Sequence, residues 1–443
     1  MRLVFDAAAK SCGVSLNDAL LAGRDFLTPL PRHLFNFRHY PIAVTGDIKK
    51  MFPQIKISEE DQPAQRFLWR GQDRSRPPDE YVMTSMIFGA KSSPCSAQYV
   101  RDVNALQFKC QFPEAVEAIT HRHYMDNLLD SFSNPTDAQK QIQDIFNIHS
   151  EGGFLMCNWL TNNEDLMRWI PSHLRTDSDK DLNFDMGLPQ ERILGLKWDP
   201  NSESLKFNLK FHKVESVMTL KRVPTKRKFL RILMSVFDPL GLVSHLTVRG
   251  KFLLQKIWRA DLMWDEELPP SLNPKWELFR QSLDHISSVS IPRCYLWDQE
   301  SIRCTDLHIF CDASERGYAV VAYFRFVTKN NVKTSFVLAK SRVAPLKFVS
   351  VPRLELLAAV MAVRISKTVQ DGHKFLISTT TFWTDSQIVL TWLRSDARKF
   401  QTFVANRVGE IEEATTIDHW RWIPTELNTA DFATKDNPAN DEL

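Results

Sequence analysis

No C-x-x-C pair occurs among the seven cysteines of this 443-residue chain (Cys12, Cys95, Cys110, Cys157, Cys294, Cys304, Cys311). An odd number scattered over so long a chain argues against a disulfide framework or a cysteine zinc site. A reducing, intracellular setting, cytoplasmic or nuclear, is therefore expected. No stretch approaches ~20 uninterrupted apolar residues. The opening Met1-Arg2-Leu3-Val4-Phe5-Asp6 puts an acid where the apolar core of a signal peptide would lie. Neither secretion nor a membrane is indicated. Internal repeats and low-complexity segments are absent as well, which removes solenoid and linker readings. The net charge of +3 names no partner by itself.

With 43% hydrophobic and 25% charged residues the composition is that of an ordinary folded protein. At roughly 100–200 residues per domain, the length predicts about two to four domains. Three blocks emerge. Residues 1–165 mix short apolar runs such as Ile42-Ala43-Val44 with turn-rich segments such as Arg74-Ser75-Arg76-Pro77-Pro78, which suits an α+β domain. Residues 166–305 read as a mixed α/β connector. It carries the basic cluster Lys221, Arg222, Lys226, Arg227, Lys228 and Arg231, then a tryptophan-rich helical stretch broken by Pro269-Pro270 and Pro274. The cluster could follow a phosphate backbone or be a solvated helix face. Residues 306–443 show β-type runs at Leu307–Cys311, Tyr318–Val327 and Thr334–Leu338, a helix from near Pro352, and a strand at Thr380–Trp383. A five-stranded mixed sheet flanked by helices is the expected α/β fold.

Four carboxylates in this last block sit in unusual places. Asp312 ends an apolar strand in Phe310-Cys311-Asp312-Ala313-Ser314, and Asp385 ends another in Trp383-Thr384-Asp385-Ser386. Glu355 stands one turn into a helix whose stripe Leu354, Leu357, Met361, Ile365 should face the core. Asp431 follows the Trp420–Pro424 strand in Asn428-Thr429-Ala430-Asp431. Singly, each has a plain structural explanation as a helix cap or a first-turn acid favoured by the macrodipole. Converging, they would repel one another unless hard divalent cations neutralised them. That is the composition of a two-metal phosphodiester site.

The pattern Cys-Asp-Ala-Ser, Arg-Leu-Glu-Leu, Trp-Thr-Asp-Ser, Asn-Thr-Ala-Asp resembles the ribonuclease H family across the whole block. The resemblance implies Mg²⁺, with Mn²⁺ as the alternative ion, held by Asp312, Glu355, Asp385 and Asp431, and hydrolysis of the RNA strand of an RNA–DNA hybrid. In the first block, Thr45-Gly46-Asp47-Ile48 and Tyr124-Met125-Asp126-Asn127 resemble the palm of a reverse transcriptase, although Asp126-Asn127 between apolar residues also suits a plain hairpin turn. By that resemblance Asp47 and Asp126 hold metals, Phe52 gates against a ribose 2′-hydroxyl, Arg2 touches the incoming triphosphate, and the Phe88–Pro94 segment shapes the nucleotide pocket. Ile193-Leu194-Gly195-Leu196-Lys197-Trp198 resembles a primer grip.

In the middle, Thr225-Lys226-Arg227-Lys228, Phe237-Asp238-Pro239-Leu240-Gly241-Leu242 and Trp264-Asp265 are similar to the segment joining polymerase to nuclease in BEL/Pao-type LTR retrotransposon polyproteins. The resemblance implies truncated fingers and palm over 1–165, thumb and connection over 166–305, and ribonuclease H over 306–443. A template-primer and an RNA–DNA hybrid are the implied partners, with dimerisation left open and Lys226, Arg227 and Lys228 on phosphates. In that family a protease precedes and an integrase follows, so a fragment or shortened product is expected. Several positions depart from the pattern. Asn127 stands where a second aspartate is usual, the fingers lysine upstream of Arg2 is missing, Asn158 occupies a lysine's place, and Thr429 that of a proline. The expectation is an active nuclease beside an impaired polymerase. A non-catalytic nucleic-acid-binding remnant or an inactive polymerase subunit is the alternative.

Overall fold

The computed structural model describes residues 4–176, 191–207, 209, 211, 214, 217–218, 222–298 and 302–435. The chain divides into two compact units, Met1–Met186 and Gly187–Leu443.

In the first unit β1 (Ile42–Ile48), β-branched and small, is central in a sheet. A separate hairpin pairs β2 (Arg66–Trp69) with β3 (Asp79–Val82). With β4 (His123–Tyr124), β5 (Asn127–Phe132) and β6 (Met156–Thr161), β1 forms an antiparallel sheet in the order β4-β5-β1-β6. Helices α1 (Leu30–His39), α2 (Ser93–Leu106), α3 (Pro113–His121) and α4 (Pro135–Glu151) surround it. All four carry proline at one of their first two positions, where its missing N–H is not needed.

The second unit contains two sheets. β7 (Glu191–Ile193), β8 (Leu196–Asp199), β9 (Ser204–Lys206) and β10 (Ser290–Pro292) form one, ordered β10-β9-β8-β7. The other consists of β11 (Ile302–Ala313), β12 (Gly317–Thr328), β13 (Val332–Val343), β14 (Thr379–Thr384) and β15 (Trp420–Trp422) in the order β13-β12-β11-β14-β15. Its first three strands are antiparallel, whereas β14 and β15 add in parallel. The expected five-stranded mixed sheet is thus present, with strands longer than the apolar runs alone indicated.

Helices α5 (Lys226–Ser235), α6 (Ser244–Arg259) and α7 (Asn273–Ser288) precede the large sheet. Pro274 initiates α7 at one of its first two positions and does not break a helix as its sequence context suggested. The Phe237–Leu242 segment has a structural task. Asp238 accepts hydrogen bonds from the Leu242 and Val243 amides, and the Ala339 amide of β13 donates to the Leu240 carbonyl. Gly241, at φ +67°, presses so closely on the Ala339 carbonyl that a Cβ would collide with it. The motif therefore pins the connector to the sheet's edge.

Against the sheet lies α8 (Val351–Gly372), followed by α9 (Gln387–Leu393) and α10 (Thr402–Ala414). The stripe expected for α8 is only partly right. Leu354, Met361 and Ile365 are buried but Leu357 is half-buried, while Leu356, Ala358, Ala359, Ala362 and Val363 are buried too. The cause is that α8 packs against β11 and β12 on one side and α10 on another, so two faces are apolar.

Candidate functional sites

β11 carries Asp312 to the end of the sheet, where it is only 5% exposed. Thr434 donates its hydroxyl to Asp312 Oδ2. Burial, reinforced by the charges of Asp385 and Asp431, pushes the Asp312 carboxyl up to about 7. Glu355, in the first turns of α8, accepts the Ser386 hydroxyl at Oε2, and burial together with Asp385 raises its pKa. Asp385 follows β14 directly. It accepts the Thr425 hydroxyl at 2.7 Å and the Asn428 amide at 3.4 Å, and its backbone carbonyl receives the Trp422 indole N–H at 3.1 Å. Asp431 lies in the 3₁₀ turn Thr429–Ala433 and pairs with Lys435 at 2.6 Å.

The four carboxylates thus occupy one neighbourhood and feel one another's charge. Burial pushes the Cys311 thiol well up, and Asp312, Asp385 and Glu355 add to the effect. Among the described residues, however, no three His, Cys, Asp or Glu side chains form a ready metal cage. The two observations concern different ranges, since Coulomb coupling extends beyond coordination distance. As a donor set, four carboxylates would supply only oxygen and carry like charge that Lys435 relieves only in part, which suits Mg²⁺ or Mn²⁺ better than a softer ion.

Sequence reasoning missed the residues that hold these acids. Ser386 caps α9 by accepting the Val389 amide while donating to Glu355, so one hydroxyl both caps the helix and holds the acid. Asn428, 2% exposed, donates to the Cys311 carbonyl and Asp385, and accepts the Ala430 amide. It ties the ends of β11 and β14 to the last turn. The polar residues beside each acid in the motifs were the available signal.

In the first unit, Asp47 of β1 sits opposite Asn127 of β5 and Cys157 of β6. The β4–β5 hairpin turns on Met125-Asp126, with Met125 at φ +59°. Arg101 and Gln98 contact Met125 and hold this unusual backbone for a non-glycine residue. Both acids line a cleft of ≈630 Å³, shared with Lys49, Phe88, Asn158 and Arg175. Asn127 donates to Asp126 at 3.1 Å and Asn158, at φ +54°, to Asp47 at 3.4 Å. Phe52 and Phe88 meet edge to face at 4.7 Å. Arg2 lies outside the described residues. The Ile193–Trp198 segment is the β7–β8 hairpin, turning on Leu194-Gly195 with Trp198 fully buried.

Within the basic cluster, Lys226 is 6% exposed, its ammonium 3.9 Å from the Trp258 ring centre and 2.9 Å from the Leu262 carbonyl. Arg227 forms a two-bond pair with Asp265. Lys228 is half-buried and Arg231 exposed. Among the described residues no helix is long and apolar enough to cross a membrane.

Residues 225–386 match the model of the Pao retrotransposon-like RNaseH-like domain. No curated protein matches the chain by sequence. Among solved structures, the chain is similar to a foamy viral protease-reverse transcriptase dRH in complex with double-stranded DNA (13% identity, TM-score 0.58, 95% of this chain and 62% of that one). It is also similar to the foamy viral protease-reverse transcriptase in complex with an RNA/DNA hybrid (12%, 0.55, 93% and 48%) and with double-stranded DNA (14%, 0.54, 92% and 72%). At these identities the likeness is one of fold, and the chain spans less than two thirds of the first two structures' chains. Residues 225–386 thus match a Pao retrotransposon-like RNaseH-like domain, and the chain shares a mixed α/β fold with these structures.

Proposed function

We propose that the second unit is a metal-dependent endonuclease that hydrolyses the RNA strand of RNA–DNA hybrids. The observation that carries this reading is the convergence of Asp312, Glu355, Asp385 and Asp431 at the ends of β11 and β14 and in two helical turns, with Thr434, Ser386 and Asn428 hydrogen-bonded to three of them. These four side chains would hold Mg²⁺, or Mn²⁺ in its place. When bound, such ions supply an activated water and charge stabilisation at the leaving oxygen of an in-line displacement. The chain's own part is orientation. Ser386 and Thr434 fix Glu355 and Asp312 by donating hydroxyl hydrogens, and Asn428 holds Asp385 against the strand end. Lys435 partly neutralises Asp431 and, as a tethered cation, must yield or share that carboxylate on metal binding.

The first unit is assigned as a reverse-transcriptase-like fingers and palm over 1–165, with thumb and connection over 166–305 and the nuclease over 306–443. Asp47 and Asp126 would be its metal acids, Arg2, Phe52 and Phe88 its nucleotide contacts. Its DNA synthesis is impaired because Asn127 brings no charge. The template-primer and hybrid are the partners. A second reading, a non-catalytic nucleic-acid-binding remnant, is favoured by the absence of a ready three-ligand cage among the described residues. Incubation of the purified chain with a labelled hybrid, with and without Mg²⁺, separates the two. Metal-dependent RNA cleavage supports the nuclease, and binding without cleavage supports the remnant.

A further inference from the structure

A second concavity of the RNaseH-like unit, of ≈400 Å³, lies between β12, β13, α8 and α10, apart from the four carboxylates. Its deepest lining is apolar: Val360, Met361 and Ile365 are 4%, 7% and 5% exposed. Around them stand four cations, Lys340 and Arg342 from β13, Arg364 from α8 and Arg407 from α10. The one acid, Glu410, is already engaged by Arg364 through bonds of 2.6 and 2.9 Å. That pair staples α8 to α10 and does not account for Lys340 and Arg342. Lys340 and Arg342 have no ion-pair partner among the described residues, and β12–β13 register places them opposite Val320 and Tyr318. Arg407 stacks on Phe403 at 3.6 Å, which fixes its guanidinium at the rim. Tyr318, Thr368 and Asn406 add a hydroxyl, a second hydroxyl and an amide.

We infer that this pocket binds a nucleoside phosphate, with the phosphate among Lys340, Arg342 and Arg407 and the base over Val360, Met361 and Ile365. A concave apolar floor with a few convergent polar groups is the usual build of a small-molecule site, and this volume falls in the customary range. Three cations besides the Arg364 that Glu410 pairs converge on this concavity, which favours an anion there, and the floor favours an apolar moiety attached to it. A free mononucleotide and the phosphorylated end of a nucleic-acid strand share that chemistry. The inference does not rest on nuclease activity.

Titration of the full chain with adenosine 5′-monophosphate, inorganic phosphate and adenosine tests it by calorimetry. The monophosphate should bind tighter than either half and weaken with added salt. Reversing two rim charges in Lys340→Glu/Arg342→Glu should weaken it at least about tenfold. Thr368→Trp, which fills the pocket from an exposed position, should abolish monophosphate binding at an unchanged melting temperature. Competition by a 5′-phosphorylated DNA 12-mer, but not its unphosphorylated twin, would assign the site to strand ends; equal failure of both would assign it to free nucleotides. Absence of monophosphate binding at millimolar concentration, or binding that both variants leave intact, overturns the inference.

Discussion

The two units each bring aspartates to the ends of paired strands, yet they surround them differently. Beside Asp312 and Asp385 stand further carboxylates, and burial, with their charge added, raises Asp312 and Glu355. Beside Asp47 and Asp126 stand two amides, Asn158 and Asn127. An amide oxygen can approach a metal, but it adds no charge to offset the ion. The two strand ends therefore differ in charge: carboxylate neighbours in the second unit, neutral amides in the first.

The sharpest way to break the contrast is to give the second unit an amide of its own. Asp385→Asn should lower hybrid cleavage by roughly 10²–10⁴, a barrier increase of ~3–5 kcal/mol. Gel quantification of the cleaved RNA strand in Mg²⁺ checks this, and wild-type rates would remove the assignment. The converse change restores a charge to the first unit. At ~4 Å and an effective dielectric of about 20, one charge is worth at most on the order of 4 kcal/mol, nearly a thousandfold. Asn127→Asp should therefore raise primer extension on an RNA template by up to that factor, and Asp126→Asn in the same background should cancel the gain. A silent Asn127→Asp protein would shift the blame to Asn158.

The units should also differ in acid sensitivity. Burial lowers His33 to about 4 and His149 to about 3, and His123 well below its ordinary value. The unfolded chain, with histidine near ~6.5, takes up protons first on acidification. Stability from these buried neutral rings is thus complete above about pH 6.5 and is lost as the pH falls toward the folded values. Between pH 7 and 5 the first unit should lose on the order of 2 kcal/mol for each of His33 and His149 at most, with His123 acting in the same direction. Hydrogen exchange of the β1 and β5 amides reads the loss, and His149→Gln should flatten it. A pH-independent exchange pattern would contradict the burial argument.

The smallest expected effect separates two roles within the basic cluster. Lys228→Ala with Arg231→Ala should lower the log–log salt slope of hybrid binding by roughly 2, since each phosphate contact releases about 0.9 counterion. Lys226→Ala should leave that slope alone and instead cost about 1–2 kcal/mol of stability through the lost cation–π contact. Binding measured at several salt concentrations, beside urea melts, distinguishes them.

Much of the second unit could be read from the chain itself. Alternating β-branched and aromatic runs define β11–β13, Pro352 marks the start of α8, and an acid closing an apolar strand stands out because burial makes it costly. These are local signals, carried by period and by turn chemistry. Three matters were decided only by tertiary structure. Lys226 lies in a basic run but is withdrawn against Trp258, a ring 32 positions later that only folding brings near. Ser386, Asn428 and Thr434 look like ordinary caps until the sheet sets Cys311, Asp312 and Glu355 beside them. The helix α8 is apolar on more than the expected stripe because α10 packs against it as well as β11 and β12. Periodicity reports which side of an element is apolar, but not what arrives to cover it, and a side chain's partner at long sequence separation depends on the packed chain.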